Sequence, residues 1–261
     1  MAYNTIEYKL ENKVATVTLN RPEVRNAINT EMVDELLELF KYMADTDKVR
    51  VIVITGAGKS FCAGADMNWL KSIAEYDYDR NYYESLNLVN LLYLLQDHPK
   101  PIIAKVNGSA VGGGVGLMLV SDIIFVEENA KFGLSEVAMG IVPVAIAPFV
   151  MRRIGETKTR EYLLTGERID ALEAYNIGLV NHIYPANNLN YEVNKMVDIL
   201  LNNGPEALKN VKSLINRINK GKFDKDYLAQ LIAKLRTSEE GQEGMHAFLE
   251  KRKPKWTQEN I

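Results

Sequence analysis

Short apolar strands alternating with longer helical stretches constrain the fold of this chain more than any other feature. Val51-Ile52-Val53-Ile54 is wholly apolar and is closed by Thr55-Gly56-Ala57-Gly58. Pro101-Ile102-Ile103-Ala104-Lys105-Val106 and Asp122-Ile123-Ile124-Phe125-Val126 have the same form further along. Runs this short and this apolar read as strands buried on both faces. Between them lie segments of helical spacing. Thr30 reads as the N-cap of a helix through Met32, Val33, Leu36, Leu37, Leu39 and Phe40. A long helical region is expected over residues 67–96, stopped by Pro99 and Pro101. Strands that alternate with helices predict parallel β–α units. An alternating hairpin, residues 6–10 and 14–19 around Glu11-Asn12-Lys13, comes before them. No repeat of fixed period is present.

After about residue 155 the spacing becomes helical almost throughout, over 156–164, 170–175, 189–203, 205–219, 223–236 and 238–252. Only 180–184 reads as a strand, and Pro205 suits a helix start, where its missing N–H costs nothing. The expectation is an α/β fold, with a core over residues 1–200 and a C-terminal helical region over 201–261 available for oligomerisation.

At 261 residues with 47% apolar and 25% charged side chains, the chain can bury a normal core. Its 31 basic and 34 acidic groups give a net charge of −3, so no broad cationic field for nucleic acid exists. The dense basic run Lys251-Arg252-Lys253-Pro254-Lys255 reads either as a solvated tail or as a clamp on ligand phosphates. Cys62 is the single cysteine, which excludes an intrachain disulfide and fits a reducing compartment. The first residues lack an apolar signal core, and the longest apolar stretch, 141–151, is short and contains Pro143 and Pro148. A soluble, cytoplasmic protein is therefore expected, with no membrane partner.

Three stretches carry potential chemistry. Ser60-Phe61-Cys62-Ala63-Gly64-Ala65-Asp66-Met67 places small residues between a strand and a helix. It reads as a tight turn with Asp66 as N-cap, or as a place where a ligand approaches the backbone. Val111-Gly112-Gly113-Gly114-Val115-Gly116 has three consecutive glycines, each costly to order. They serve close helix–sheet packing, or a peptide N–H aimed at a developing oxyanion. The spacing fits neither dinucleotide nor P-loop motifs. Finally, Glu136 is the only acid between Glu128 and Glu156 and sits among apolar neighbours. It reads as a proton-transfer group raised by desolvation, or as a strand-end acid paired with Arg152 or Arg153. Taken together, two helix-start N–H donors and one partly buried carboxylate make a site that stabilises an enolate.

Other residues take plainer readings. His98, His182 and His246 read as structural or surface groups, and Cys62 as packing. Tyr76, Tyr78, Tyr82 and Tyr83 read first as helix packing, and second as hydroxyls near a ligand.

The motifs Phe61-Cys62-Ala63-Gly64-Ala65-Asp66, Asn107-Gly108-Ser109-Ala110-Val111-Gly112-Gly113-Gly114 and Phe132-Gly133-Leu134-Ser135-Glu136 resemble those of the crotonase superfamily, the enoyl-CoA hydratase/isomerase family. The likeness runs from Val14 to Pro254. It implies a crotonase-like spiral of β–β–α units with C-terminal helices that build homotrimers, commonly paired into hexamers. It implies an oxyanion hole from the N–H groups of Ala65 and Gly113, with Gly112 beside it and Glu136 as the catalytic acid–base. Arg25 and Ala27 match the loop that contacts the coenzyme A nucleotide. Ala63, Asp66 and Met67 match positions beside the pantetheine and thioester, and the basic C-terminal residues match positions that reach coenzyme A phosphates.

The substrate implied is an acyl-CoA, with no metal and no cofactor beyond the coenzyme A it carries. Hydratases of the family with two carboxylates have a glutamate where this chain has Gly116. One glutamate resembles the Δ3,Δ2-enoyl-CoA isomerases, while residues 132–149 look most like bacterial methylglutaconyl-CoA hydratases. Hydration is the expected reaction and isomerisation the alternative. A non-catalytic RNA-binding or scaffold role would rest on the basic run alone.

Overall fold

A computed structural model describes residues 3–258. β1 (Ile6–Glu11) and β2 (Val14–Leu19) form the expected hairpin, with Ile6 opposite Leu19. Asn12 and Lys13 turn it at φ 47° and 63°, a left-handed pair whose twist matches the strands. A 3₁₀ turn at Pro22–Val24 leads to α1 (Thr30–Asp45), β3 (Val51–Gly56), α2 (Met67–Glu75) and α3 (Tyr78–Gln96). Then come β4 (Ile102–Val106), β5 (Ala110–Val111), α4 (Gly113–Leu119), β6 (Ile123–Glu127) and β7 (Lys131–Gly133). A second 3₁₀ turn, Glu136–Met139, precedes α5 (Ala147–Thr165), β8 (Ile169–Asp170), α6 (Ala171–Asn176) and β9 (His182–Tyr184). Helices finish the chain: α7 (Ala186–Asn202), α8 (Pro205–Asn219), α9 (Lys225–Thr237), α10 (Glu239–Leu249) and α11 (Lys255–Gln258).

The wide sheet has the order β1-β2-β3-β4-β6-β9 and is parallel except at β1. Because side chains alternate along a strand, its central strands feed two cores. Ile52, Ile54, Ala104 and Ile124 pack with α1 and α3 residues such as Leu36, Phe40 and Leu95. Val51, Val53, Ile103 and Phe125 pack with Leu189, Val193 and Val197 of α7. Truncating a fully buried ring such as Phe40 to alanine would cost about 3–5 kcal/mol.

A narrow ribbon runs alongside. Ile28 bridges Ala65, Cys62 bridges Ala110, and Ala110 pairs with Phe132, all in parallel. The chain thus passes four times from a wide-sheet strand, through one rung of this ribbon, toward a helix. These are the β–β–α turns of the expected spiral, and the ribbon carries the site residues at its exits into α2 and α4.

Several local expectations need correction. Asn29, not Thr30, caps α1: its side chain accepts from Met32 N–H, and its φ of −125° is still extended. Residues 67–96 are two helices, because Asp77 caps α3 and Asn81 Nδ2 takes the carbonyls of Ile73 and Tyr76. The helix expected over 156–164 starts at Ala147, with Pro148 in its first turn, and is kinked at Gly155. Residues 238–252 do not stay helical. Arg252 turns back to Glu243 and Glu250, and Trp256 Nε1 donates to the carbonyl of Asn202, so the basic run is a folded corner and not a free tail.

Asn26 ties the first two coils together. It is fully buried at φ 57°, accepts from Arg21 N–H, and its Nδ2 reaches the carbonyls of Ala57 and Ser60 at 2.9 Å each. Asn26→Ala would strand those half-buried carbonyls, and urea unfolding should show a loss on the order of 3 kcal/mol. Asn187→Ala, on an exposed turn of α7, should stay within about 0.5 kcal/mol of wild type.

Candidate active site

The ribbon decides where two backbone N–H groups point. Ile28 N–H donates to Gly64 O at 2.7 Å, and Asp66 N–H donates to Ile28 O at 2.8 Å. In a parallel bridge the intervening residue faces the other way, so Ala65 N–H turns from Ile28 and, among the described residues, finds no acceptor. Asp66 then starts α2: its Oδ1 accepts from Asn68 and Trp69 N–H, and its Oδ2 pairs with Arg21 at 2.9 Å. Burial alone would raise the Asp66 carboxyl, but these hydrogen bonds and the guanidinium outweigh it and hold it below the usual range. The loop is thus a turn capped by Asp66 that leaves the Ala65 N–H without an acceptor.

The three glycines have separate reasons. Gly112 adopts φ 50° and ψ −121°, which only glycine takes readily, and a Cβ there would lie 3.1 Å from Glu136 Oε1. At Gly113 a Cβ would press on Ile28 Cδ1 at 3.1 Å, and at Gly114 it would collide with Cys62 O at 2.6 Å. Gly113 is the first residue of α4, so its N–H has no partner within the helix and none elsewhere among the described residues.

Ala65, Gly113 and Glu136 line one cavity of about 370 Å³, walled by Trp69, Leu88 and Ile146. A groove of about 360 Å³ adjoins it, lined by Arg25, Ala27, Ala63, Asp66 and Met67, with Ala65 on both. The two linings meet at Ala65, and Gly112 lies against Glu136. Glu136 opens the second 3₁₀ turn, and its Oε2 is buried without a hydrogen-bond partner. Burial pushes its carboxyl above the usual range. It pairs with neither Arg152 nor Arg153; Arg153 instead donates to the carbonyls of Leu119 and Ser121.

Gly116 is filled space. A Cβ there would lie 2.4 Å from Ile146 Cγ2 and 3.5 Å from Leu92 Cδ1, so no second carboxylate fits at that position.

Nucleophilic alternatives lose their residues. Cys62 is fully buried and its thiol is pushed up to about 12 by desolvation. Burial first, and Lys212 second, lower His98 to about 4, and its Nε2 lies 3.2 Å from Phe40 O in the core. Neither group lines the cavity.

Burial does not account for Tyr78 and Tyr83, which are 81% and 66% exposed. Arg80 covers the Tyr76 ring at 3.8 Å, and Tyr82 stacks on Tyr78 at 6.5 Å. Sequence reasoning also passed over Glu84, which lines the cavity. Its signal is positional: it lies four residues before Leu88 and in register with buried Leu91 and Leu95, a carboxylate on the inward stripe of α3.

Residues 9–259 match the family model described as enoyl-CoA hydratase/isomerase. A putative enoyl-CoA hydratase of Thermus thermophilus is 38% identical over 245 residues, covering 93% of this chain and 97% of that relative. An enoyl-CoA hydratase structure from Shewanella pealeana superposes with a TM-score of 0.93 at 36% identity, over 97% of this chain and 96% of its own. Pseudomonas aeruginosa AtuE gives 0.94 at 34% identity, over 97% of this chain and all of its own, 100%. With the spiral, the paired donors and the ribbon motifs in place, the chain belongs to the enoyl-CoA hydratase/isomerase family.

Proposed function

We propose that this protein is an enoyl-CoA hydratase that adds water across the 2,3-double bond of an enoyl-CoA thioester. One observation carries the reading: two backbone N–H groups without acceptors and one unpartnered carboxylate oxygen converge on a single cavity. In this reading the N–H groups of Ala65 and Gly113 donate to the thioester oxygen. Glu136 takes a proton from water as the water oxygen bonds C3, and the π electrons move to an enolate whose oxygen the two donors hold. Glu136 then returns the proton to C2, so H and OH have both been added and the carboxylate is regenerated. No cofactor beyond the coenzyme A of the substrate is needed. Each donor of such a pair is typically worth a factor of roughly 10² to 10³ in rate.

The adjoining groove supports a place for coenzyme A. Arg25 and Ala27 stand toward its nucleotide, with Ala63, Asp66, Met67 and Gly112 beside the pantetheine and thioester. Both oxygens of Asp66 are taken, so its part is to hold Ala65 in place. Exposed apolar residues on the C-terminal helices, Val211, Ile215, Phe248 and Leu249 among them, support a homotrimer or a dimer of trimers built on residues 201–261. No described helix is long and apolar enough to cross a membrane, which is compatible with a cytoplasmic place. A second reading, Δ3,Δ2-enoyl-CoA isomerase, is favoured by the packed space at Gly116, since one base suffices to move a proton between carbons.

Loss of conjugated thioester absorbance on mixing with a trans-2-enoyl-CoA tests the reaction. Wild type should hydrate, and Glu136→Gln should fall by a factor of roughly 10² to 10⁴. Absorbance that appears from a 3-enoyl-CoA, with no hydration, would assign the isomerase instead. Because Glu136 must be ionised to act and burial raises its carboxyl, the acid limb of kcat/KM should lie above the ordinary glutamate value of about 4.3.

The same shift sets a stability test. A carboxyl raised in the folded state favours folding when protonated, and that contribution is lost as pH rises through the raised value. Glu136→Gln should therefore have a higher Tm than wild type at neutral pH, with the gap closing below about pH 4. Gly116→Glu should not supply a second acid; it should unfold at lower denaturant than wild type, since its Cβ alone overlaps Ile146.

A further inference from the structure

Glu84 lines the same cavity as Glu136, yet the hydration chemistry has no step for it. Its Oε2 accepts from Thr30 Oγ1 at 3.0 Å and from Trp69 Nε1 at 3.3 Å. The donors come from α1 and α2, so the carboxylate is fixed from two sides and presented as an acceptor. Ile73, Leu88 and Val89 line the same cavity around it, so it faces space that an acyl group bound there would fill.

The electrostatic surroundings are one-sided. No lysine, arginine or histidine lines the cavity among the described residues; its other lining is apolar apart from Asn81, Ser85 and Glu136. Asp34, one turn along α1 from Thr30, is near enough for Glu84 to add to burial in raising its carboxyl. An acyl tail that ends in a carboxylate would meet a fixed acceptor, a second acid behind it and no cation. In a partly desolvated cavity like charges a few ångströms apart repel strongly, whereas an uncharged tail meets Leu88, Val89 and Ile73.

We infer that Glu84 is a specificity-determining residue that admits acyl groups with uncharged tails and rejects those that end in a carboxylate. This rests on the cavity being the acyl site of the proposed hydratase. A methylglutaconyl-type group, whose tail is a carboxylate, falls in the rejected class.

The test uses two saturated thioesters of equal chain length, pentanoyl-CoA and glutaryl-CoA, titrated calorimetrically into the full-length protein. Neither can be hydrated, so the outcome is independent of turnover. Wild type should bind pentanoyl-CoA at least about tenfold more tightly. Glu84→Gln should keep its pentanoyl-CoA affinity and lose most of that ratio, while Glu84→Asp should retain it. Equal affinities in wild type, an unchanged ratio in Glu84→Gln, or loss of pentanoyl-CoA binding in that variant would each overturn the assignment. Failure of wild type to bind either thioester would instead overturn the acyl-site reading beneath it, and hydration lost with the binding ratio intact would overturn only the reaction.

Discussion

Two hydrogen bonds to Ile28 govern the site. By accepting Ile28 N–H through Gly64 and donating to its carbonyl through Asp66, the loop leaves Ala65 N–H turned outward and unpaired. The hold is reinforced from below. Arg21 pairs with Asp66 and donates to the Ala27 carbonyl, and Asn26 pins the turn between β3 and the loop. A peptide donor held this way needs no reorganisation when charge develops on its acceptor, which is the physical advantage of backbone over flexible side chains. The second donor follows from the first by the ribbon, because Cys62 is bridged to Ala110 three residues before Gly113.

The Glu136 carboxyl works against folding, and its surroundings show it. Glu136 keeps Oε2 buried and without a partner, where a structural acid would have found a base or a cap, as Asp66 has. Arg153 is close in sequence but is spent on carbonyls at the end of α4. An unpartnered acid of raised pKa on the wall of the cavity that two free donors also line is the kind of local cost found at functional sites. Glu84 is the opposite case, an acid held by two neutral donors on the wall of the same cavity.

Much of this was legible in the sequence, and the remainder was not for definite reasons. Val51 to Ile54 and Ile102 to Val106 announce themselves as buried strands, and Pro205 marks the first residue of α8. The glycines and Glu136 point to the site by residue type. β5 and β8 do not, being two residues each, and they exist only through long-range partners such as Phe132. The break at Asp77 was hidden because apolar spacing continues across it, while the cap that makes it is one carboxylate. Ile146 could not be seen filling the space beside Gly116, because no local pattern records a contact across thirty residues. Glu84 was visible as an acid on an apolar stripe, but its meaning needed Thr30 and Trp69 brought beside it.

Donation from the N–H groups of Ala65 and Gly113 to the thioester oxygen, the step on which the proposed hydration rests, can be read by isotope-edited infrared spectroscopy. The protein would be saturated with pentanoyl-CoA carrying ¹³C at the thioester carbonyl, so that no reaction intervenes. Two backbone hydrogen bonds should polarise the carbonyl and move its stretch to lower frequency than in free solution, in wild type and Glu136→Gln alike. A carbonyl stretch at the solution frequency, with the thioester demonstrably bound, would mean that the two N–H groups do not hold its oxygen.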